Sequence, residues 1–158
     1  MIKSIQALPG TYALIFSASQ KRRIEIGSIG SLQLQPGFYV YVGSAFGPGG
    51  LNARIRHHCS KAARPHWHID YLASTLALKA IWHTCDPVHR EHLWADTIAN
   101  TRGASVALAG FGSSDCRCQS HLFYYRSKPG SKNFRRKIHS NIDGHDRIHC
   151  QKFEPNFL

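Results

Sequence analysis

The sequence predicts a small mixed α/β domain of the α+β type, in which a central, mainly antiparallel β-sheet is flanked by helices. Several short segments rich in aromatic and β-branched residues alternate with period two and are separated by Pro and Gly turns. Other segments show helical spacing and begin after glycine-rich or Asp-Pro signals. The chain has 158 residues, 42% of them hydrophobic, which suffices for one domain with a sizeable core.

Three strands are predicted near the beginning of the chain. Residues 11–16 form a dense apolar strand, and residues 23–29 alternate again after a basic turn. Residues 38–42 alternate aromatic and β-branched side chains, a pattern typical of a strand. Three antiparallel strands are the simplest arrangement, and they can place Tyr12 and Tyr41 on adjacent strands.

A helix over residues 51–60 follows the glycine-rich loop at residues 47–50. Its apolar residues recur every four positions and so share one face. Arg54 and His58 are also four residues apart, so they project together from a neighbouring face. A strand that ends in tyrosine therefore faces a guanidinium and an imidazole across a short loop, a set of groups suited to a phosphodiester.

The middle of the chain continues with a short helix or turn over residues 66–72 and a strand over residues 76–82. A helix is predicted over residues 86–100, with Asp-Pro at its start. Glu91 falls on its apolar stripe, three residues after Val88. A buried carboxylate is costly unless a cation or hydrogen-bond donors meet it, so Glu91 is a candidate metal ligand. The alternative is a glutamate at the helix edge that pairs with an arginine.

The last part of the chain divides at about residue 125. Short strands are predicted at residues 105–108 and 121–125. Residues 126–158 are basic, contain histidines and lack apolar periodicity, which predicts an irregular extension that packs on the domain, contacts nucleic acid or is simply solvated. The predicted organisation is thus a domain over residues 1–125 and a basic C-terminal extension over residues 126–158.

The charge balance favours an anionic partner. The formal net charge is +11, which points first to nucleic acid and second to an anionic membrane surface, the alternative being a basic protein that is merely soluble. The longest early apolar run, residues 13–16, is too short for an export signal or a membrane span. We therefore expect a cytoplasmic protein with reduced thiols that binds DNA and no membrane.

Five motifs in this sequence resemble those of the GIY-YIG nucleases. They read PGTY, YVGSA, GLxARIxHH, HWHIDYL and SDCxCxSHL, in this order, over roughly residues 8–125. The tripeptides at residues 10–12 and 41–43 match the two signature tripeptides, with Thr and Val in place of the usual Ile. The sequence is most similar to a small stand-alone branch of unknown role, sometimes fused to endonuclease III-type repair enzymes.

The resemblance implies a DNA endonuclease that uses a single Mg²⁺ or Mn²⁺ ion. By the matched motifs, Glu91 would hold the metal and Arg54 the phosphate. Tyr12 and Tyr41 would orient or deprotonate the attacking water, and His58 would relay or accept a proton. Taken singly, each of these residues has an ordinary alternative: a core aromatic, a surface arginine or an exposed helix histidine. Which group acts as the general base stays open.

Further candidates for supporting or substrate-binding roles are Gly43, Ser44, His68, Asp70, Ser120 and His121. Many family members carry a late asparagine near the active site, and this sequence has Ser120 and His121 in the matching region instead. One of these two residues is expected to substitute for it. For His68 and Asp70 the alternative is that they cap the short helix.

The cysteines suggest a second site. Cys116 and Cys118 lie close to His121 in the sequence, and together with Cys85 they form a candidate zinc site. Reduced structural thiols are the alternative, because zinc sites more often contain cysteines separated by two to four residues.

The predicted function is a metal-dependent endonuclease that acts on DNA. Two other classes stay open from the sequence: a weakly catalytic or non-catalytic nucleic-acid-binding module that assists a protein partner in DNA repair, and a zinc-stabilised RNA-binding protein. The intact set of two tyrosines, arginine, histidine and glutamate favours the enzyme, and the missing asparagine favours the binding module.

Overall fold

A six-stranded antiparallel β-sheet with helices on both faces organises the chain, as seen in a computed structural model that describes residues 5–60, 64–113 and 116–153. The predicted fold class is confirmed. The strands are β1 (Gly10–Ala18), β2 (Arg22–Glu25), β3 (Ser31–Leu34), β4 (Gly37–Ala45), β5 (Ala77–Thr84), β6 (Ser105–Val106), β7 (Leu122–Tyr125) and β8 (His149–Lys152). The helices are α1 (Gly50–Cys59), α2 (Asp70–Ala73), α3 (Glu91–Ala99) and α4 (Ser131–Asn141). None of the described helices has the length and apolar character that a membrane crossing requires.

The strand order in the main sheet is β6-β7-β4-β1-β5-β8. In the antiparallel register of β1 and β4, Tyr12 lies opposite Gly43 and Leu14 opposite Tyr41. The two tyrosines therefore lie on adjacent strands, as predicted. The segment after β1 differs from the simplest prediction, because β2 pairs with β3 in a separate two-stranded sheet.

The sheet is buried on both faces, and successive side chains of β1 point alternately into two separate hydrophobic cores. Tyr12, Leu14 and Phe16 belong to a first core, which α1, α2 and the β2–β3 hairpin cover. Ala13 and Ile15 belong to a second core, which α3 and α4 cover. A strand with helices over one face and helices over the other is expected to read as a continuous apolar run, and residues 11–16 do.

The predicted irregular C-terminal extension is wrong for residues 131–141 and 149–152. The first range forms α4, and the second forms β8, which pairs with β5 and extends the sheet. Phe134 of α4 stacks on Trp82, with ring centroids 4.9 Å apart, and meets Trp94 edge-on at 5.0 Å. Burial of these large aromatic surfaces anchors a helix whose remaining residues are almost all polar.

The predicted start of the third helix is also wrong, because α3 begins at Glu91. The Asp86 carboxylate closes a turn before it: Oδ1 accepts a hydrogen bond from the Val88 amide at 2.9 Å, and Oδ2 accepts one from Arg90 Nε at 3.1 Å. The Asp146 amide, from the segment before β8, also donates to Oδ2 at 3.0 Å. Val88 is 51% exposed and lies outside the buried stripe. The turn around the buried Asp86 carboxylate sets where Glu91 enters the structure.

Candidate active site

A cleft of about 280 Å³ lies beside the C-terminal half of β4 and collects most of the predicted site residues. Tyr41, Gly43 and Ser44 of β4 line one part of it, and Arg54 of α1 and Glu91 at the start of α3 line others. The remaining lining residues are Phe46, Trp67, His92, Gly112, Cys116 and His121. Elements from both faces of the sheet thus meet at one opening. Of the five residues predicted to be catalytic, Tyr41, Arg54 and Glu91 line it, and Tyr12 and His58 do not.

Arg54 is held in the cleft by two contacts. Its guanidinium lies 4.1 Å from the centre of the Trp67 ring, a cation–π contact. Its Nη1 donates a hydrogen bond to the Ser44 backbone carbonyl at 3.0 Å. A guanidinium has five N–H donors, so this arrangement fixes the planar group and leaves donors for an anionic ligand in the cleft.

Glu91 is partly exposed to the cleft, with 22% of its side chain accessible. Its Oε1 lies 2.7 Å from Nδ1 of the buried His121. Burial tends to raise the pKa of Glu91, but contacts with His121 and Ser44 outweigh this effect and hold the pKa below its ordinary value. The side chain is therefore a carboxylate at neutral pH. Partial burial costs the carboxylate part of its hydration, and contacts with Ser44 of β4 and with His121, just before β7, compensate for this loss.

Behind Tyr41 lies a buried chain of three polar groups. The Tyr12 hydroxyl lies 2.7 Å from His58 Nε2, and His58 Nδ1 lies 3.5 Å from Asp70 Oδ1. With Nδ1 facing a carboxylate, the tautomer protonated at Nδ1 leaves Nε2 to accept a hydrogen bond from the Tyr12 hydroxyl. The Tyr41 ring packs against both partners, at centroid distances of 6.3 Å from Tyr12 and 6.0 Å from His58.

Asp70 is the fixed end of this chain, with only 3% of its side chain exposed. Its Oδ2 accepts hydrogen bonds from the backbone amides of His66 at 2.8 Å and Trp67 at 3.0 Å, and it lies 3.2 Å from His57 Nε2. Burial tends to raise the pKa of Asp70, but these donors and His58 hold it well below its ordinary value. The donors precede the helix, so Asp70 closes the loop before α2 and aligns two histidines instead of capping α2.

Burial sets the protonation states of the other members. It raises the pKa of Tyr12 well above the ordinary value and also raises the pKa of Tyr41, which the Glu91 carboxylate raises further. Burial lowers the pKa of His58, against the opposing effect of Asp70. At neutral pH the site therefore presents two protonated phenols and a neutral imidazole.

The close approach of Tyr12 explains why β4 has a glycine, Gly43, at this position. A Cβ atom built on Gly43 would lie 2.4 Å from the Tyr12 hydroxyl, directly across the β1–β4 pair. The absence of a side chain is what lets the Tyr12 ring lie flat against β4 and reach His58.

Three of the predicted supporting residues do not line the cleft: Asp70, described above, His68 and Ser120. His68 Nδ1 accepts a hydrogen bond from the Gly112 amide at 2.8 Å, so His68 positions a loop that lines the cleft instead of capping α2. Ser120 is buried, and its hydroxyl bonds to the backbone of Leu122 at the start of β7. Ser120 does not line this cleft, so of the two residues expected in place of the missing asparagine only His121 reaches it.

Sequence reasoning missed four residues of the site, one of which, His92, is described below with the cysteines. Trp67 carries the Arg54 guanidinium, and His57 shares Asp70 with His58. Phe46 lines the cleft and stacks on His89 with ring centroids 3.8 Å apart. Trp67 and His57 lie within the motifs HWHIDYL and GLxARIxHH, so the motifs themselves held the signal.

A group of histidine and cysteine side chains borders the cleft. Ligand atoms of His92, Cys116, Cys118 and His121 all lie within 4.8 Å of one another. Cys85, predicted to belong with this group, is not in it: it follows β5, three strands from β7 in the sheet, and packs against the first core. His92 takes the place that we predicted for Cys85. Asp70, His57 and His58 form a second such group among the described residues.

Comparisons with known proteins give one positive result. A search of curated proteins finds no match to the chain, and a search of solved structures finds none either. A protein-family model described as "Domain of unknown function DUF123" matches residues 11–143, a range that includes β1, the cleft and α4. The matched range covers most of the chain, and the chain therefore belongs to the DUF123 family.

Proposed function

We propose that the protein is a metal-dependent endonuclease that hydrolyses DNA phosphodiester bonds by a GIY-YIG-type mechanism with a single metal ion. The observation that carries this proposal is the convergence of Tyr41, Arg54 and Glu91 on one cleft of about 280 Å³. These three side chains match the three needs of the reaction: a group that orients the attacking water, a cation for the phosphoryl oxygens and a carboxylate for a divalent ion.

The role proposed for Arg54 is to bind the scissile phosphate. Trp67 and the Ser44 carbonyl hold the guanidinium in place where Arg54 lines the cleft, so binding of an anion there would need little further ordering of the side chain. Preorganised donors of this kind stabilise the charge that develops on phosphoryl oxygens in the transition state. The net charge of +11 supports DNA as the substrate class, because it favours the approach of a polyanion.

The role proposed for Glu91 is to hold Mg²⁺ or Mn²⁺. The donor set fits such an ion: the carboxylate is anionic, lines the cleft and is partly exposed, while His121 and Ser44 hold it in place. One protein carboxylate with waters in the other positions is an ordinary Mg²⁺ site. A bound ion there would neutralise phosphoryl charge and lower the pKa of a coordinated water.

The proton of the attacking water is proposed to reach His58 through Tyr12: the Tyr12 hydroxyl would give its own proton to His58 Nε2 and take up the proton of the water. Burial raises the pKa values of Tyr12 and Tyr41, so neither phenol would serve at neutral pH as the final proton acceptor. His58 is neutral, and its Nε2 already faces the Tyr12 hydroxyl at 2.7 Å. Asp70 on the far side of the ring would stabilise the imidazolium that forms.

A non-catalytic nucleic-acid-binding module that assists DNA repair is the second candidate. The observation that favours it is the position of Ser120, which bonds to its own strand and contributes nothing to the cleft. If the absent asparagine is essential for turnover, the same cleft would bind a phosphate without cleaving the strand.

The test compares cleavage of matched single-stranded, duplex and branched DNA in Mg²⁺ or Mn²⁺ by the natural protein, Glu91→Gln and Glu25→Gln. Glu25 is an exposed glutamate paired with Arg23 and serves as the matched control. We expect the natural protein and Glu25→Gln to cleave at least one substrate equally well. Glu91→Gln should bind the same DNA and lose cleavage by about 10³-fold or more.

Two results would overturn the proposal. Binding of all three DNA forms by the natural protein, with no cleavage of any of them in either metal, would leave the binding module as the function. Cleavage by Glu91→Gln at the rate of Glu25→Gln would remove Glu91 from the mechanism and with it the assignment of the metal site.

A further inference from the structure

Four potential metal ligands from two segments meet beside the cleft. His92 comes from the first turn of α3, and Cys116, Cys118 and His121 come from the segment between β6 and β7. We propose that these four side chains bind a structural zinc ion that fastens this segment to α3. The inference rests on the convergence of the four ligand atoms and holds independently of nuclease activity.

The chemistry of the ligand set selects zinc. Two thiolates and two imidazoles are the donors of a closed, four-coordinate Cys₂His₂ site, whereas Mg²⁺ and Ca²⁺ take oxygen ligands. Tetrahedral Zn–S and Zn–N bonds separate neighbouring ligand atoms by about 3.3 to 3.8 Å. Cys116 Sγ and His121 Nε2 already lie 3.4 Å apart, and all ligand atoms lie within 4.8 Å of one another.

The thiols are available for a metal. The five cysteines of the chain, all in the described part of the structure, are free of disulfides. Cys116 and Cys118 are half-buried, while His92 is exposed and lines the cleft together with Cys116. An ion therefore has a path to the site from solvent, and the site becomes enclosed on the side of His121, which is only 1% exposed.

The orientation of His121 is the strongest single argument. Its Nε2 faces Cys116, and its Nδ1 lies 2.7 Å from Glu91 Oε1. A zinc-bound histidine characteristically gives its other ring nitrogen to a carboxylate, which fixes the ring and its tautomer. Glu91 therefore occupies the position of the carboxylate that orients a zinc-bound histidine, and it also lines the cleft.

The second cluster of potential metal ligands, His57, His58 and Asp70, has little donor capacity left for a metal. His57, His58 and Asp70 have a carboxylate already engaged by backbone amides at 2.8 and 3.0 Å, and His58 Nε2 is engaged by the Tyr12 hydroxyl. Its donors are used within the protein, so we assign zinc to the cysteine-containing cluster.

The zinc has a structural consequence for the cleft. The segment between β6 and β7 carries Phe111 and Gly112, which pack against or beside Tyr41. The described residues of this segment form no helix or strand, and a hydrogen bond from His121 N to Phe111 O at 2.8 Å joins two parts of it. A zinc ion shared with α3 would hold this wall of the cleft at a fixed distance from Glu91.

The test is the zinc content of full-length protein, purified under reducing conditions without chelators or a histidine tag, and measured by elemental analysis. We expect about one zinc ion per chain in the natural protein and less than about a tenth of that in Cys116→Ser and Cys118→Ser. Cys85→Ser and His57→Gln are the matched controls and should keep the full content. Glu91→Gln should keep zinc but release it about tenfold more readily to a competing chelator.

Cobalt provides a readout that does not depend on the folding of any variant. Titration of the metal-free natural protein with Co²⁺ should produce the intense visible bands of tetrahedral cobalt together with thiolate charge-transfer absorption, and zinc should bleach both. Removal of zinc should lower the Tm by more than about 5 °C.

Several outcomes would overturn the proposal. The first is that the natural protein contains less than about a tenth of a zinc ion per chain and also gives no cobalt spectrum. The second is that Cys118→Ser contains as much zinc as the natural protein. Loss of zinc in Cys85→Ser as complete as in Cys118→Ser would overturn the ligand set. None of these results depends on cleavage, so they are distinct from failure of the proposed nuclease function.

Discussion

Two carboxylate–histidine pairs flank the cleft, and they differ in what each carboxylate has left to offer. Asp70 faces His58 from a position where 3% of its side chain is exposed, and its oxygens are met by two amides and two imidazoles. Glu91 faces His121 with 22% of its side chain exposed, and the cleft lies in front of it. The Asp70 carboxylate thus has its hydrogen-bonding capacity used within the protein, whereas the Glu91 carboxylate is accessible from the cleft.

The far ends of the two imidazoles also differ. His58 ends on the buried hydroxyl of Tyr12, a group that can exchange a proton. His121 ends on the Cys116 thiol, a group that can bind a soft metal. Under the proposed function, the first pair would orient and stabilise a proton acceptor, whereas the second would hold cations. The following predictions test this difference.

The largest expected difference is between Asp70→Asn and Glu91→Gln. Asp70→Asn leaves buried donors facing an amide and should lower the free energy of unfolding by about 3 kcal/mol at pH 7. Glu91→Gln keeps shape and an acceptor at a partly exposed site and should cost less than about 1 kcal/mol. Urea unfolding measures both, with Asp143→Asn on an exposed aspartate as the control. Equal losses for the two variants would show that the carboxylates are not differently engaged.

The second prediction concerns Arg54, which lies between the two pairs. Arg54→Ala should lower cleavage by about 10²–10³-fold because it removes a fixed charge from the developing phosphoryl oxyanions. Arg54→Lys should restore little, since an ammonium cannot reproduce the planar contact with Trp67. Arg56→Ala, on the exposed side of α1, is the control. If Arg54→Ala and Arg56→Ala cleave DNA equally well, Arg54 has no role in the chemistry.

The third prediction perturbs the Tyr12 end of the first pair without replacing a polar residue. Gly43→Ala would bring a Cβ atom within 2.4 Å of the Tyr12 hydroxyl, so the Tyr12 ring or the strand must shift and the contact with His58 is disturbed. Overpacking of this kind should cost about 1–3 kcal/mol of folding free energy and should also lower cleavage. Gly47→Ala is the matched control, because a Cβ there meets no atom within 4 Å. A neutral Gly43→Ala would mean that the Tyr12–His58 contact carries no constraint.

The sequence predicted the parts of the site that depend on short-range periodicity. Alternation in residues 11–16 and 38–42 placed Tyr12 and Tyr41 on adjacent strands, and helical spacing placed Arg54 and His58 on one helix. It did not show that His58 turns into the core while Arg54 stays at the surface of the cleft. That difference depends on Asp70, the first residue of α2, which contacts His58. The loop before α2 positions Asp70, and loop conformation has no periodic signal.

Two errors have related causes. The extension after residue 125 has only Phe134 and Ile138 as apolar residues of α4, a stripe too narrow to count as amphipathic until Trp82 and Trp94 are known to face it. Cys85 was grouped with Cys116 and Cys118 by residue type, although strand order separates them. His92 could be found only once α3 was known to begin beside the segment before β7. In each case the missing information was long-range.

The smallest expected effect is the dependence of stability on pH, which tests the protonation state of His58. Burial lowers the pKa of His58 in the folded state, so the unfolded chain takes up this proton first as pH falls below about 6.5. The His58 contribution is therefore complete above pH 6.5 and is lost below it. Burial also lowers the pKa of His83 to about 4, so His83 adds a loss over the same window. Unfolding free energies between pH 7 and 5 should fall less steeply in His58→Gln and in His83→Gln, and an exposed control, His66→Gln, should keep the natural slope. A slope unchanged in His58→Gln would mean that His58 titrates alike in both states, which would contradict its place as a buried neutral base.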